Sequence, residues 1–88
     1  MIIDCLPMWI NNLMHYGREA HFHSILEAAL KALPPYAAIV SNETGLGNIP
    51  FDEATRRYNL LLAEANRRFA EVCDHVEFMV SGIPLKVK

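Results

Sequence analysis

Two short apolar runs that each stop at polar residues constrain this chain most: Ile2-Ile3 before Asp4, and Tyr36–Val40 before Ser41-Asn42-Glu43. Runs this short and rich in β-branched residues read as buried strands of a parallel sheet, since a strand with one wet face would alternate apolar and polar residues. Between them, Leu6, Trp9, Ile10, Leu13 and Met14 recur at helical spacing as far as Gly17. A second helix is expected over 21–33, with Phe22, Ile25, Leu26, Ala29, Leu30 and Leu33 on one face and Pro34-Pro35 closing it. Strands alternating with helices imply an α/β fold: a mostly parallel sheet with flanking helices and right-handed crossovers.

After the second run comes a stretch of turn formers, Ser41 to Asn48. Asp52 is placed to cap a long helix whose buried stripe is Ala54, Tyr58, Leu61, Leu62, Ala65, Phe69 and Val72. Glu53 with Arg57, and Glu64 with Arg68, are expected to pair along its wet side. A third strand follows over 75–80, a turn at Ser81-Gly82-Ile83-Pro84, and a last strand over 85–87 that leaves room for an antiparallel edge. The 88 residues fit one α/β domain. A core strand beginning at residue 1 is unusual in an intact α/β domain, so a further N-terminal unit is expected to be missing.

Composition narrows the partners. With 52% hydrophobic and 20% charged residues the chain carries too much apolar surface to stay disordered. A net charge of -2 gives no basic surface for nucleic acid, which takes clustered Lys and Arg. No apolar run approaches the roughly 20 residues of a membrane span and no signal peptide is evident, so the expected location is the cytoplasm. Cys5 and Cys73 stand alone and read as small buried thiols.

In open α/β sheets ligands bind beyond the carboxyl ends of the strands, which here means Asp4 and the loop that starts at Asn42. On spacing alone, Asp4 reads equally as a site carboxylate or as a cap for the helix beginning near Leu6. Asn42, Glu43, Gly45 and Gly47 are good turn formers, and on residue type alone a plain turn is the stronger reading; the two glycines would also permit positive φ and a close backbone approach. His21 and His23 point in different directions on a helix, and His15 and His75 read as surface residues, so no histidine is assigned to catalysis. Arg56, Arg57, Arg67 and Arg68 could clamp phosphate, but their spacing among glutamates favours a solvated face or a subunit contact.

Two segments at those strand ends are distinctive together: Ile2-Ile3-Asp4-Cys5-Leu6 with Trp9 and Asn12-Leu13, and Val40-Ser41-Asn42-Glu43-Thr44-Gly45-Leu46-Gly47-Asn48-Ile49-Pro50. With Ala54-Thr55-Arg56-Arg57-Tyr58, Asn66-Arg67-Arg68 and Val80-Ser81-Gly82-Ile83-Pro84-Leu85-Lys86, they give the chain a clear likeness. It resembles the C-terminal half of the bifunctional adenosylcobinamide kinase/adenosylcobinamide-phosphate guanylyltransferases of cobalamin biosynthesis. The likeness is weakest between Gly17 and Tyr36, where only the helical pattern matches.

The resemblance implies part of a P-loop fold, acting as a homo-oligomer on ATP or GTP with Mg²⁺ and on a corrinoid substrate. It implies that Asp4 holds Mg²⁺ beside nucleotide phosphates, once a phosphate loop is supplied, and that Asn42, Glu43, Gly45 and Gly47 border the same crevice. The family's Walker A loop and its nucleotidylated histidine both lie N-terminal to the matched part, so these 88 residues contain neither. The chain alone is therefore expected to be inactive in both transfers, because phosphoryl transfer depends on the phosphate loop and its Lys. The alternative is a non-catalytic α/β interaction domain that associates with itself or with a separate N-terminal half, since missing strands leave sheet edges unpaired. An independent hydrolase using Asp4 and Glu43 has no nucleophile or metal cluster to recommend it.

Overall fold

Strand β1 (Ile2–Asp4) pairs in parallel with β2 (Ala38–Val40) in a computed structural model of the chain, which describes residues 2–43 and 52–88. The register sets Ile2 against Ala38, Ile3 against Ile39 and Asp4 against Val40. Parallel neighbours need a crossover, and two helices supply it: α1 (Leu6–His15) and α2 (Phe22–Ala32).

Helix α1 starts with Pro7 in its first turn, where a missing N–H costs no hydrogen bond. It ends where Gly17 takes φ +66° and the Arg18 amide donates to the Leu13 carbonyl at 2.8 Å, a left-handed stop that a side chain would strain. A short 3-10 turn, Glu19–His21, precedes α2, so the α-helix begins one residue later than the sequence pattern predicts. Leu33 caps α2 in extended geometry, as expected of a residue before proline.

Helix α3 (Glu53–Val72) is the spine of the molecule, and both crossover helices pack on it. The Asp52 carboxylate caps it by accepting from the Thr55 amide at 2.6 Å, as the sequence predicts. Its far end carries no basic side chain of its own. Instead the Lys88 ammonium donates to the Ala70 and Glu71 carbonyls at 3.0 and 3.1 Å, placing a cation where the helix dipole favours one.

The core is helical. Leu6, Ile10 and Leu13 of α1, Phe22 and Leu26 of α2, and Leu62, Ala65 and Phe69 of α3 form one buried cluster, with Trp9 edge-on to Phe69 at 6.4 Å. Ile3 and Ile39 join it only partly, so the small sheet lies at the border of the core and not at its centre.

The C-terminal strands correct the expectation of a mostly parallel sheet. β3 (Glu77–Val80) and β4 (Ile83–Lys86) form an antiparallel hairpin that is a second two-stranded sheet and does not extend the first among the described residues. Ser81 and Gly82 both have positive φ, 52° and 78°, which makes a two-residue hairpin loop. Pairing therefore resumes at once, and β4 begins at Ile83 and not at Leu85. The register puts Phe78 opposite Leu85 and Val80 opposite Ile83, so these four share one face, while Glu77 with Lys86 and Met79 with Pro84 occupy the other. Lys88, hydrogen-bonded to the end of α3, ties the hairpin to the helices.

The ion pairs also differ from the i,i+4 expectation. Arg57 reaches Glu19 of the 3-10 turn at 3.5 Å, and Arg68 pairs with Glu27 of α2. Glu64 is held by Arg67 at 2.5 Å, not by Arg68. Arg57 and Arg68 thus reach glutamates on neighbouring elements, Arg68 also approaching Glu71 of α3 at 3.8 Å, and a rule confined to one helix cannot foresee the pairs between elements.

Candidate functional site

Parallel pairing brings the carboxyl ends of β1 and β2 side by side, so Asp4 and the segment Ser41-Asn42-Glu43 leave the sheet at the same edge. Asp4 is exposed there. The cap position of α1 falls on Cys5, and no side-chain hydrogen bond caps the helix. The reading of Asp4 as a capping carboxylate is therefore not realised, which leaves its oxygens facing solvent at the strand end. Asp4, Cys5, Trp9 and Asn12 line one depression of about 460 Å³, so the residues of the first distinctive segment meet in space as well as in sequence.

Asn42 and Glu43 are exposed just past β2. Gly45 and Gly47 lie outside the described residues. The start of this loop is tied to the middle of α3 by Asn66: its side-chain oxygen accepts from the Ser41 hydroxyl at 2.5 Å, and its side-chain nitrogen donates to the Asn42 carbonyl at 2.8 Å. Sequence reasoning noted Asn66 only as part of the Asn66-Arg67-Arg68 run and gave it no role. The available signal was an asparagine in a helix interior, a place its backbone-competing side chain disfavours. Tyr58, also on α3, has its phenol held above the ordinary value, first by burial and then by the nearby Cys5 thiol.

The electrostatics of the polar face of α3 are those of a solvated helix. Glu64 is kept below the usual carboxylate range chiefly by its hydrogen bond to Arg67, whose guanidinium is pushed up in turn by Glu64 and then Glu71. Arg57, Arg67 and Arg68 are engaged by glutamates, so these three make no phosphate clamp in this arrangement. His15 stacks edge-on with Tyr16 and His23 with Phe22, and no cluster of three His, Cys, Asp or Glu able to hold a metal ion occurs among the described residues. A larger open groove, about 800 Å³, lies at the opposite end of β2 between 33–39 and 72–75. Its lining, which includes Tyr36, Ile39, Cys73, Asp74 and His75, contains no residue of the two distinctive strand-end segments.

An acidic strand end beside a polar segment at the carboxyl edge of a small parallel sheet is the place where open α/β sheets commonly bind ligands. Residues 1–87 match the family described as cobinamide kinase / cobinamide phosphate guanyltransferase, and the chain belongs to that family. It is 36% identical over 91 residues to the bifunctional adenosylcobalamin biosynthesis protein CobP of Pseudomonas aeruginosa, which covers 100% of this chain and 53% of the relative. The corresponding CobU proteins are 36% identical over 64 residues in Salmonella typhimurium, covering 73% of this chain and 35% of the relative, and 29% identical over 80 residues in Escherichia coli, covering 91% and 44%. The chain thus spans about half the length, or less, of the curated relatives it matches.

Proposed function

We propose that this chain supplies the acidic strand end, the start of the substrate loop and the long supporting helix of a nucleotide-dependent cobinamide kinase and cobinamide phosphate guanylyltransferase. The observation that carries the reading is the parallel register of Asp4 with Val40, which sets a solvent-facing carboxylate beside Ser41-Asn42-Glu43 at one sheet edge. Family membership over residues 1–87 supports it. In this reading the frame is part of a P-loop fold working in the cytoplasm, and the phosphate loop and the nucleotidylated histidine are contributed by protein outside these 88 residues.

The donors at the edge are hard oxygens, and Mg²⁺ is commonly held by one or two carboxylates together with substrate phosphates, so Asp4 fits it without a full protein cage. Bound there, the ion would neutralise charge on the phosphates of ATP or GTP. Asp4 holds and orients; Asn42 and Glu43 offer an amide and a carboxylate to the corrinoid or the nucleotide. Without the phosphate loop, neither transfer proceeds on this chain.

Calorimetric titration of the chain with Mg-GTP and Mg-ATP, repeated after assembly with the phosphate-loop half of the Pseudomonas relative, tests this. Binding that appears only in the assembly, and is lost in Asp4→Asn, is the expected result; unchanged affinity in Asp4→Asn removes Asp4 from the site. A second reading, a non-catalytic domain that associates with itself or with a separate half, draws support from the hairpin, whose apolar face of Phe78, Val80, Ile83 and Leu85 is exposed. Light scattering on the same samples separates the two: association without any nucleotide binding, alone or assembled, favours the second.

A further inference from the structure

We propose that Asn66 is a positioning residue that fixes the direction in which Asn42 and Glu43 leave β2, and thereby sets the loop side of the crevice. The inference rests on the reading above for what the crevice binds, but the tether itself stands on geometry. The Asn side chain has one acceptor oxygen and one donor nitrogen, and both are used on successive residues: Ser41 donates to the first at 2.5 Å and the Asn42 carbonyl accepts from the second at 2.8 Å. The bonds span 25 and 24 residues of sequence, so they join a strand end to a helix and are not local capping.

Other side chains fail for identifiable reasons. Asp keeps the acceptor and sets a carboxylate against the Asn42 carbonyl; Leu loses both bonds; Gln places its amide one methylene too far. The amide is also neutral, so it holds the loop without adding charge between Asp4 and Glu43. Docking of α3 does not depend on it, because Leu62, Ala65 and Phe69 already anchor that helix in the core. What Asn66 adds is the path of 41–43, which belongs to no strand or helix.

The test uses Asn66→Asp, which conserves volume, with Asn66→Ala and Ser41→Ala, the last removing one bond only. In the chain, backbone order parameters for the Asn42 and Glu43 amides are measured by NMR. They should stand near about 0.85 and fall toward about 0.6 in Asn66→Ala and Asn66→Asp, with α3 unchanged and Ser41→Ala between. In the assembled enzyme, KM for Mg-GTP or for the cobinamide substrate should rise about tenfold in Asn66→Asp and less than about threefold in Ser41→Ala, while kcat moves less. Unchanged order at Asn42 and Glu43 in folded Asn66→Ala overturns the tether. A disordered loop with wild-type KM and kcat overturns the positioning role. Failure of the wild-type assembly to bind nucleotide or turn over sinks the functional reading instead, and the NMR result still decides the tether. If Asn66→Asp does not fold, Ser41→Ala and Asn66→Ala carry the same comparison.

Discussion

The helical layer and the C-terminal hairpin are both strongly apolar in sequence, yet they meet opposite fates. Leu6, Ile10 and Leu26 are 2%, 0% and 0% exposed, whereas Phe78, Val80, Ile83 and Leu85 are 39%, 44%, 64% and 52% exposed. The difference is one of partners. Each helix presents an apolar stripe, and three such stripes cover one another around α3. The hairpin presents an equally consistent face, set by the Phe78–Leu85 and Val80–Ile83 pairs, and nothing among the described residues covers it. Periodicity therefore says which side of an element is apolar; it does not say whether that side is covered, and a lone two-stranded hairpin is marginal without such cover.

The sharpest way to break this comparison is to remove one phenyl ring from each region. Phe69→Ala empties a core position against Trp9 and should cost about 3 to 5 kcal/mol, which unfolds much of a domain this small. Phe78→Ala should cost less than about 0.5 kcal/mol when the chain is dilute, as for other exposed sites. Urea unfolding followed by circular dichroism reads both. Equal losses would mean that the hairpin face is buried in solution, and the distinction between the regions would collapse.

A smaller effect sharpens the boundary between them. Lys88 is hydrogen-bonded to the last carbonyls of α3, and the Val87 amide donates to the Val76 carbonyl at 2.8 Å at the open end of the hairpin. Lys88→Ala should lower stability by about 1 kcal/mol or less. Hydrogen exchange at the Val87 amide should accelerate, with exchange in the α1 and α3 interiors little changed. If helix and hairpin amides accelerate together, the two regions open as one unit.

Legibility followed the same division. The two parallel strands, α1 and α3 with its Asp52 cap were readable because each depends on local pattern: a short apolar run, a 3.6-residue stripe, a cap residue at the right offset. The separation of the hairpin from the parallel sheet was not readable, because strand partners are chosen in three dimensions and the apolar pattern of Glu77–Val80 suits a central strand or a hairpin arm equally. Within the candidate site, the meeting of Asp4 and Asn42 at one end of the parallel sheet was legible from their places after short apolar runs. The hydrogen bonds of Asn66 were not, because they form only once α3 lies within reach of Ser41 and Asn42. Arg57 and Arg68 misled for a related reason, since their partners Glu19 and Glu27 belong to other elements.

Those cross-element pairs supply a further prediction on the helical side. Arg68 is the less exposed of the paired arginines and joins α3 to α2 through Glu27, so Arg68→Gln should destabilise by up to about 0.5 kcal/mol, with the loss shrinking as salt is added. Comparing unfolding of both proteins at low and high ionic strength checks it. A loss that persists in high salt would point to packing of the arginine stem and not to its charge.

The smallest effect expected is the pH response of the α3 cap. Asp52 is held below the usual aspartate range, first by the Thr55 amide that it accepts from and then by the Thr55 side chain. A carboxyl with a depressed native pKa binds its proton more weakly when folded, so its contribution is full above the unfolded-state value and fades as pH falls through the native one. Asp52→Asn keeps an acceptor for the Thr55 amide but cannot titrate. The wild type should therefore lose its advantage over Asp52→Asn on acidification, while Glu64, depressed by Arg67, contributes to the acid loss of both proteins alike and cancels in the difference. Parallel stability curves through the acid range would mean that the cap works through the hydrogen bond alone, and that the charge of Asp52 does nothing for the start of α3.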